Sequence, residues 1–451
     1  MPEAAATLAG SLIAATCPAC GHHVAAPFYS GRQPLATLGW PRTAGQARAM
    51  PALPLDFVCC TSCGHVFNSS FDYTKVPYSD MPNLMFNRGG LWSDFLRNIA
   101  AEMLGRLPPE PVVVEIGYGD GTFLDTLVSL CPRGRFIGFD PHGATAPHAC
   151  RLELRRELFE PGVHLAQLAP DLIMSRHVME HLSDPLGFIQ LMALATTCLE
   201  RSPLMYLEVP CIDRALATGR TEDFYYEHNS HFTTSSFCRM LERSGAHLET
   251  LGHGYDSEVV YAFVRLNART ELIRNGLAAL RFRAQAERSR ERIRAQLAAL
   301  HESGKRVAIW GGTGKSAAFL NAHSVDAERF PYVVDSDIAK AGTYVPGTGQ
   351  VIQFRDQLLR EPADVIVIPC QWRAADIVRE MEGRGIRFQS VLIDYRGELV
   401  DYFSSDHPYG RIPDWAACRL VGALESSWDN AEPHSEERSQ MHPLIGLRSG
   451  Q

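Results

Sequence analysis

Between residues 112 and 141 the chain reads VVVEIGYGDGTFLDTLVSLCPRGRFIGFDP, an order that few folds accommodate. Val112, Val113 and Val114 make a β-branched run closed by Glu115 and Ile116. Gly117, Gly119 and Gly121 follow on alternate positions, ahead of an apolar-periodic segment over residues 123–130. The pattern predicts strand, glycine turn and helix. Glycine suits a turn whose dihedrals a Cβ would oppose and whose backbone a ligand approaches closely. A second strand over residues 135–139 ends in Asp140, about twenty residues past the glycines, where a doubly wound sheet sets a carboxylate against ribose hydroxyls.

Several cofactors use such a turn, and the details separate them. A dinucleotide fingerprint wants Gly or Ala three residues after its second glycine. That position is Thr122, and Glu115 stands two residues before the first glycine. Glu-x-Gly-x-Gly-x-Gly after an apolar strand resembles the first motif of class I S-adenosylmethionine-dependent methyltransferases, in which no pyrophosphate is cradled. The resemblance implies S-adenosylmethionine as cofactor, bound around Glu115, Gly117, Gly119, Gly121 and Asp140.

At 451 residues the chain has room for about two to four domains. Its 45% hydrophobic and 21% charged residues are the composition of an ordinary soluble protein. A net charge of −8 argues against a nucleic-acid-binding surface. No apolar run is long enough to span a bilayer, and the small apolar residues 4–15 carry no basic leader, so a cytoplasmic protein without membrane partners is expected.

Two of the cysteine spacings suggest a metal. Cys17-Pro-Ala-Cys20-Gly-His and Cys60-Thr-Ser-Cys63-Gly-His are similar knuckles about forty residues apart. Each turn brings two thiolates to one ion, and four close a tetrahedral structural zinc site. His22, His23 and His65 could substitute but are not needed, and Cys59 is expected to face the other way along a strand. A loop-rich module stapled by metal, residues 1–80, follows from this. At its end, Tyr73 and Tyr78 are candidates for lining a substrate pocket.

The methyltransferase-like domain is expected over residues 81–266. Within it Glu157 is a candidate for the adenine side of the cofactor. Residues 171–185 read as a fourth strand running into a turn, which brings Ser175 to the cofactor, because ligands in open α/β sheets lie off the carboxyl ends of strands. His177 and His181 are read as loop-packing groups rather than as a base.

The densest set of titrating groups is 223–233, DFYYEHNSHFT. The thioether that leaves a sulfonium is neutral and needs little acid help, so the acceptor must be made nucleophilic. Where the acceptor is a carbon next to a ketone, a base must take an α-proton, and imidazole has a suitable pKa. His228 is the candidate base. Glu227 would orient it or raise its basicity, Tyr225 would hydrogen-bond an enolate oxygen, and His231 would contact substrate.

Residues 267–303 carry apolar positions at helical spacing and read as one or two long helices. At residues 306–316, RVAIWGGTGKS, a second strand, glycine turn and helix begins. A P-loop would need glycine five residues before Gly314, and Ile309 stands there, so ATP hydrolysis is not expected. A smaller Rossmann-like domain, residues 304–400, is expected instead, with Thr313 and Lys315 placed to hold substrate phosphates at a helix amino terminus. Residues 401–451, polar and proline-containing, are expected to be a disordered tail.

Taken together, the two knuckles, the Gly-Arg-Gln-Pro-Leu-Ala run at residues 31–36, the first glycine turn, the Tyr-x-Glu-His segment and the second glycine turn resemble the zinc-containing sugar C-methyltransferase family. Its members include C-3′-methyltransferases acting on nucleotide-linked 4-keto deoxysugars. The resemblance implies an α/β protein in three parts: a zinc module, a class I methyltransferase core and a Rossmann-like carboxyl domain. It also implies His228 as base, with Glu227 before it and Tyr225 and Tyr78 as the active-site tyrosines, and a small-molecule partner such as a nucleotide sugar. O- or N-methylation of a small metabolite, and a silent nucleotide-sugar or cofactor sensor, are the alternative readings. The sequence leaves the oligomeric state open.

Overall fold

A computed structural model describes residues 11–38, 40–77, 89–144, 151–199, 202–268 and 270–410. The chain divides between Ile273 and Arg274 into two compact units.

The first unit is built on a seven-stranded sheet, in the order His247–Gly254, Val259–Arg265, Leu204–Pro210, Leu172–Arg176, Val112–Ile116, Arg135–Phe139 and Leu152–Arg155. The last five strands are parallel, whereas Val259–Arg265 pairs antiparallel with both of its neighbours. Parallel strands are covered on both faces and so read as continuous apolar runs. Alternate residues accordingly go to different cores. Val114 and Ile116 pack with Ile173, Met205 and Leu207, and Val113 packs with Phe136, Leu172 and Tyr206 on the opposite face. Helices Pro161–Leu168, Pro185–Ala195 and Thr234–Ser244 cover the first face, and Gly90–Gly105 and Thr122–Leu130 the second.

Strand Val112–Ile116 sits between Arg135–Phe139 and Leu172–Arg176, so the chain order reverses there. The crevice off its carboxyl end is where such sheets bind ligands.

Joined to this domain is a five-stranded antiparallel sheet of Ile13–Ala14, Val24–Gln33, Leu53–Cys60, Val66–Asn68 and Ser230–His231. The last strand comes from the methyltransferase sequence, pairing Ser230 with Phe67 and His231 with Val66. The four knuckle cysteines are buried in the same core as Phe232, Phe237 and Met240.

Helix Thr270–Glu302 leads into the second unit and buries Ile293 and Leu297 in that unit's core. The sheet there runs Ile352–Phe354, Tyr332–Asp335, Val307–Trp310, Val365–Ile368, Ser390–Tyr395 and Glu398–Asp401. It is parallel except for the final strand. Again the first strand in sequence, Val307–Trp310, lies at the switch point and ends in a glycine turn.

The expected disorder from residue 401 is corrected for 401–410. Glu398–Asp401 pairs with Ser390–Tyr395, and Tyr402 and Tyr409 pack against the core of Ile366, Ile377 and Ile393. Asp401 accepts hydrogen bonds from the backbone of Phe403 and Ser404, both at 3.0 Å. A polar composition concealed this turn because its three aromatic residues meet only in space. The rest of the expected tail, residues 411–451, lies outside the described residues.

Among the described residues no helix is long and apolar enough to cross a membrane.

Candidate active site

Gly117, Gly119 and Gly121 have φ of 79°, 58° and 78°. These lie in the left-handed region that side chains oppose. A Cβ on Gly117 would also fall 2.4 Å from Cγ2 of Val178. The turn therefore leaves its backbone bare, and Glu115, Gly117, Gly119 and Asp120 line one part of a cavity of about 410 Å³. Asp140 pins the turn, its Oδ2 accepting from the Gly119 N–H at 3.0 Å and its Oδ1 from His142 N–H at 2.9 Å.

Glu115 is buried, and its Oε2 has no hydrogen-bond partner among the described residues. Arg176 lies 3.8 Å from its Oε1 and 3.2 Å from Glu208. Glu208 in turn accepts from the Tyr206 hydroxyl at 2.5 Å and stands 3.0 Å from His177 Nε2, and His177 Nδ1 is 3.4 Å from Glu180. A buried file of alternating acidic and basic side chains thus runs from the glycine turn to Glu180. Burial raises Glu115 more than Arg176 lowers it, and its pKa is pushed up to about 8. Burial opposes ionisation of Glu208 too, but Arg176 and His177 outweigh it and hold its pKa at about 2.

This has a measurable consequence. A carboxyl whose pKa is 4.5 unfolded and about 8 folded binds more protons when folded between those values, so its contribution to stability falls as pH rises through that window. Replacing Glu115 with Gln is expected to flatten this part of the pH–stability curve of the cofactor-free protein, measured by urea unfolding, and to weaken cofactor binding. An unchanged slope would contradict the assignment.

Residues 223–231 form another part of the cavity lining. Tyr225, His228 and His231 all border it, and the Tyr225 hydroxyl is 2.9 Å from His228 Nε2. Burial, reinforced by His181, His231 and His177, pushes His228 well below the usual histidine range, so its imidazole is neutral. Burial and the Glu180 carboxylate push Tyr225 up, so the phenol keeps its proton and can donate it to Nε2 whenever that nitrogen carries none. His231 is held down at about 3 by burial and packs edge-on to Phe57 and Phe224.

Glu227 reaches a different partner from the one the sequence suggests. Its Oε1 accepts from Thr37 N–H at 2.6 Å, the Thr37 hydroxyl at 3.0 Å and Leu38 N–H at 3.3 Å. It fastens the 37–38 segment beside the cavity, which Thr37 lines, and it meets the histidines through its backbone carbonyl, 2.8 Å from His181 Nδ1. Glu157, half exposed, pairs with Arg155 and His164, and the exposed Tyr73 packs edge-on to Phe71; neither lines the cavity. Ser175 is fully buried in its strand. Tyr78 lies outside the described residues.

The reading above does not single out Arg176, Glu180, Glu208 and Thr37. Arg176 and Glu208 do carry a signal, since each is the charged residue of an otherwise largely apolar strand, LIMSR and LMYLEVP. Thr37 carries none.

Two further sites are separate. Cys17 and Cys63 have sulfurs 3.6 Å apart, as do Cys20 and Cys60, and all four side chains are buried within mutual reach. Tetrahedral thiolates at about 2.3 Å from zinc are separated by about 3.8 Å, so the set fits that ion. In the second unit a cavity of about 70 Å³ is lined by Gly311, Thr313, Ser316, Lys340 and Arg373. Lys315 instead sets its ammonium 4.3 Å from the centroid of the Trp372 ring.

Comparison with known families finds two matches. Residues 87–251 match the family described as methyltransferase domain, and residues 255–391 match the C-methyltransferase C-terminal domain. The chain is 25% identical over 413 residues to C-methyltransferase NovU of Streptomyces niveus, which covers 82% of this chain and 94% of that one. Among solved structures, a SAM-dependent methyltransferase from Aquifex aeolicus is 14% identical, covering 44% of this chain and 99% of that one with a TM-score of 0.31. Human N-acetylserotonin methyltransferase in complex with SAM is 11% identical, covering 39% and 53% with a TM-score of 0.30.

Proposed function

Since the chain is a class I S-adenosylmethionine-dependent C-methyltransferase, we propose that it methylates a carbon next to a ketone on a nucleotide-linked deoxysugar or similar small molecule, with His228 as base. The observation that carries this reading is the cavity's composition: a bare glycine turn and a neutral, Tyr225-bonded imidazole line one space.

When bound, the cofactor supplies an electrophilic methyl group on a sulfonium whose departure as a thioether needs no proton. The protein's work is therefore on the acceptor. His228 Nε2 takes the α-proton, and the C–H electron pair becomes the enolate nucleophile. Proton arrival at Nε2 displaces the Tyr225 hydroxyl, which is then free to donate to the enolate oxygen. Glu227 holds the 37–38 segment beside this space, and His231 presents an apolar-packed imidazole to substrate. Tyr78 is the second tyrosine of this proposal. Glu115 and the turn from Gly117 to Gly121 hold the cofactor, with Asp140 acting through the turn it pins. Ser175, whose buried side chain sits just ahead of Arg176, and Glu157, two residues past the edge strand Leu152–Arg155, are proposed as outer supports of that site.

For the second unit, phosphate binding near Thr313 is proposed, with Lys315 adding charge. The four cysteines are proposed to hold structural zinc.

Product analysis tests the reading. Compounds retained by the native protein, incubated with methyl-labelled S-adenosylmethionine, are expected to yield a nucleotide sugar heavier by one methyl in an acid-stable C–CH3 bond. A methyl on oxygen or nitrogen, or retained ligand without transfer, overturns it.

A further inference from the structure

Glu180 is unused by the chemistry above, and its surroundings are unusual for a carboxylate. The side chain is 1% exposed and borders the cavity, and neither oxygen has a hydrogen-bond partner among the described residues. The nearest cationic group is His177, 3.4 Å away and already shared with Glu208. Burying a carboxylate beside a single imidazole shared with Glu208 is costly, so its place beside an open cavity points to a ligand that brings positive charge. Two imidazoles stand next to it. One ring nitrogen of His181, one of His228 and an oxygen of Glu180 all lie within 4.8 Å of one another. The rings of His181 and His228 meet edge to face, 4.8 Å apart.

We propose that Glu180, His181 and His228 form a binding site for a divalent first-row transition-metal ion, and that an ion held there shuts off methyl transfer. The second clause rests on the reading of His228 as base, since an imidazole cannot give one lone pair to a metal and to a substrate proton. The donor set decides the ion: two imidazoles with one carboxylate suit nickel, cobalt or zinc rather than magnesium or calcium, which prefer all-oxygen sites.

The supporting contacts are those of ligating histidines. The Glu227 carbonyl, 2.8 Å from His181 Nδ1, accepts a hydrogen bond from that nitrogen and fixes the orientation of the ring. The Tyr225 hydroxyl, which can donate or accept, steadies His228 from 2.9 Å. The cavity supplies an entry path and space for water on the remaining coordination positions. This arrangement differs from the four cysteines, where a closed thiolate set leaves no position open.

The test is titration of the full-length protein with Ni²⁺ alone, followed by calorimetry, with zinc content measured before and after. One Ni²⁺ is expected to bind with no loss of zinc. Glu180→Gln and His228→Ala are each expected to weaken it more than about tenfold, the smallest loss typical even of outer-shell changes. In the unsubstituted protein, Co²⁺ at this site is expected to give nitrogen–oxygen ligand-field bands without thiolate charge transfer. Methyl transfer should fall as Ni²⁺ saturates and return on chelation. Unchanged Ni²⁺ binding in both variants, or a thiolate-dominated cobalt spectrum, overturns the site. Saturation that leaves turnover untouched overturns the inhibition and leaves the site standing. Turnover that survives His228→Asn removes the base reading separately, because the cobalt spectrum and Glu180→Gln judge the metal without it.

Discussion

His228→Asn is expected to lower methyl transfer by about 10²–10⁴-fold, the usual share of a positioned general base. Asparagine can still receive a hydrogen bond from Tyr225 but cannot hold a proton taken from carbon. Cofactor affinity should not change, because the bare backbone at Gly117, Gly119 and Gly121 and the orphaned Glu115 oxygen belong to other segments of the cavity lining. Single-turnover transfer from labelled S-adenosylmethionine, with calorimetry of S-adenosylhomocysteine binding, separates the two effects. Unimpaired turnover would take His228 out of the base role, whereas equal loss of binding and turnover would mark it as a residue that shapes the cavity.

The other large effect expected is from Cys17→Ser, which should reduce bound zinc below one per chain and lower thermal stability. Structural zinc contributes apparent free energies of about 10–16 kcal/mol in small zinc peptides at neutral pH, so losing one of four thiolates removes a sizeable part of what folds the module. The damage should not stay within the knuckles. Their cysteines share a core with Phe232 and Phe237, and the same sheet ends in Ser230–His231, which lines the active-site cavity through His231. Activity should therefore decline along with zinc content when a chelator is titrated, even though, among the described residues, no cysteine lines that cavity. Elemental analysis and thermal unfolding decide the matter, and full zinc retention with unchanged unfolding would contradict the four-thiolate site.

Much of the architecture is readable from local signals. The β-branched run ending in alternating glycines predicts strand, turn and helix because those residues restrict or release backbone dihedrals by themselves. The Cys-x-x-Cys knuckles predict a metal site because the spacing alone brings two thiolates to one point. The 3.6-residue periodicity over residues 267–303 gives one long helix, Thr270–Glu302. Tyr225 and His228 are each legible as site candidates in one short segment, whereas their 2.9 Å contact is found only in the structure.

Where two distant segments decide the outcome, the sequence is silent. Glu227 precedes the candidate base and invites a role upon it, yet its carboxylate is claimed by Thr37 and Leu38, some 190 residues earlier in the chain. Glu157 and Tyr73 are plausible ligand contacts by type, but the structure directs them to Arg155 and His164, and to Phe71. The file from Glu115 through Arg176, Glu208 and His177 to Glu180 draws on three strands and a loop, and its charges acquire meaning only when the sheet order sets those strands side by side.

The sequence by itself determined the backbone features that need particular residues: glycine turns at two switch points, buried apolar strands, two cysteine knuckles and a histidine-rich segment. Only the tertiary structure decided which carboxylate meets which cation and which polar groups face the cavity. Dihedral preference and periodicity act between neighbours in the chain, whereas charge pairing and burial act between neighbours in space.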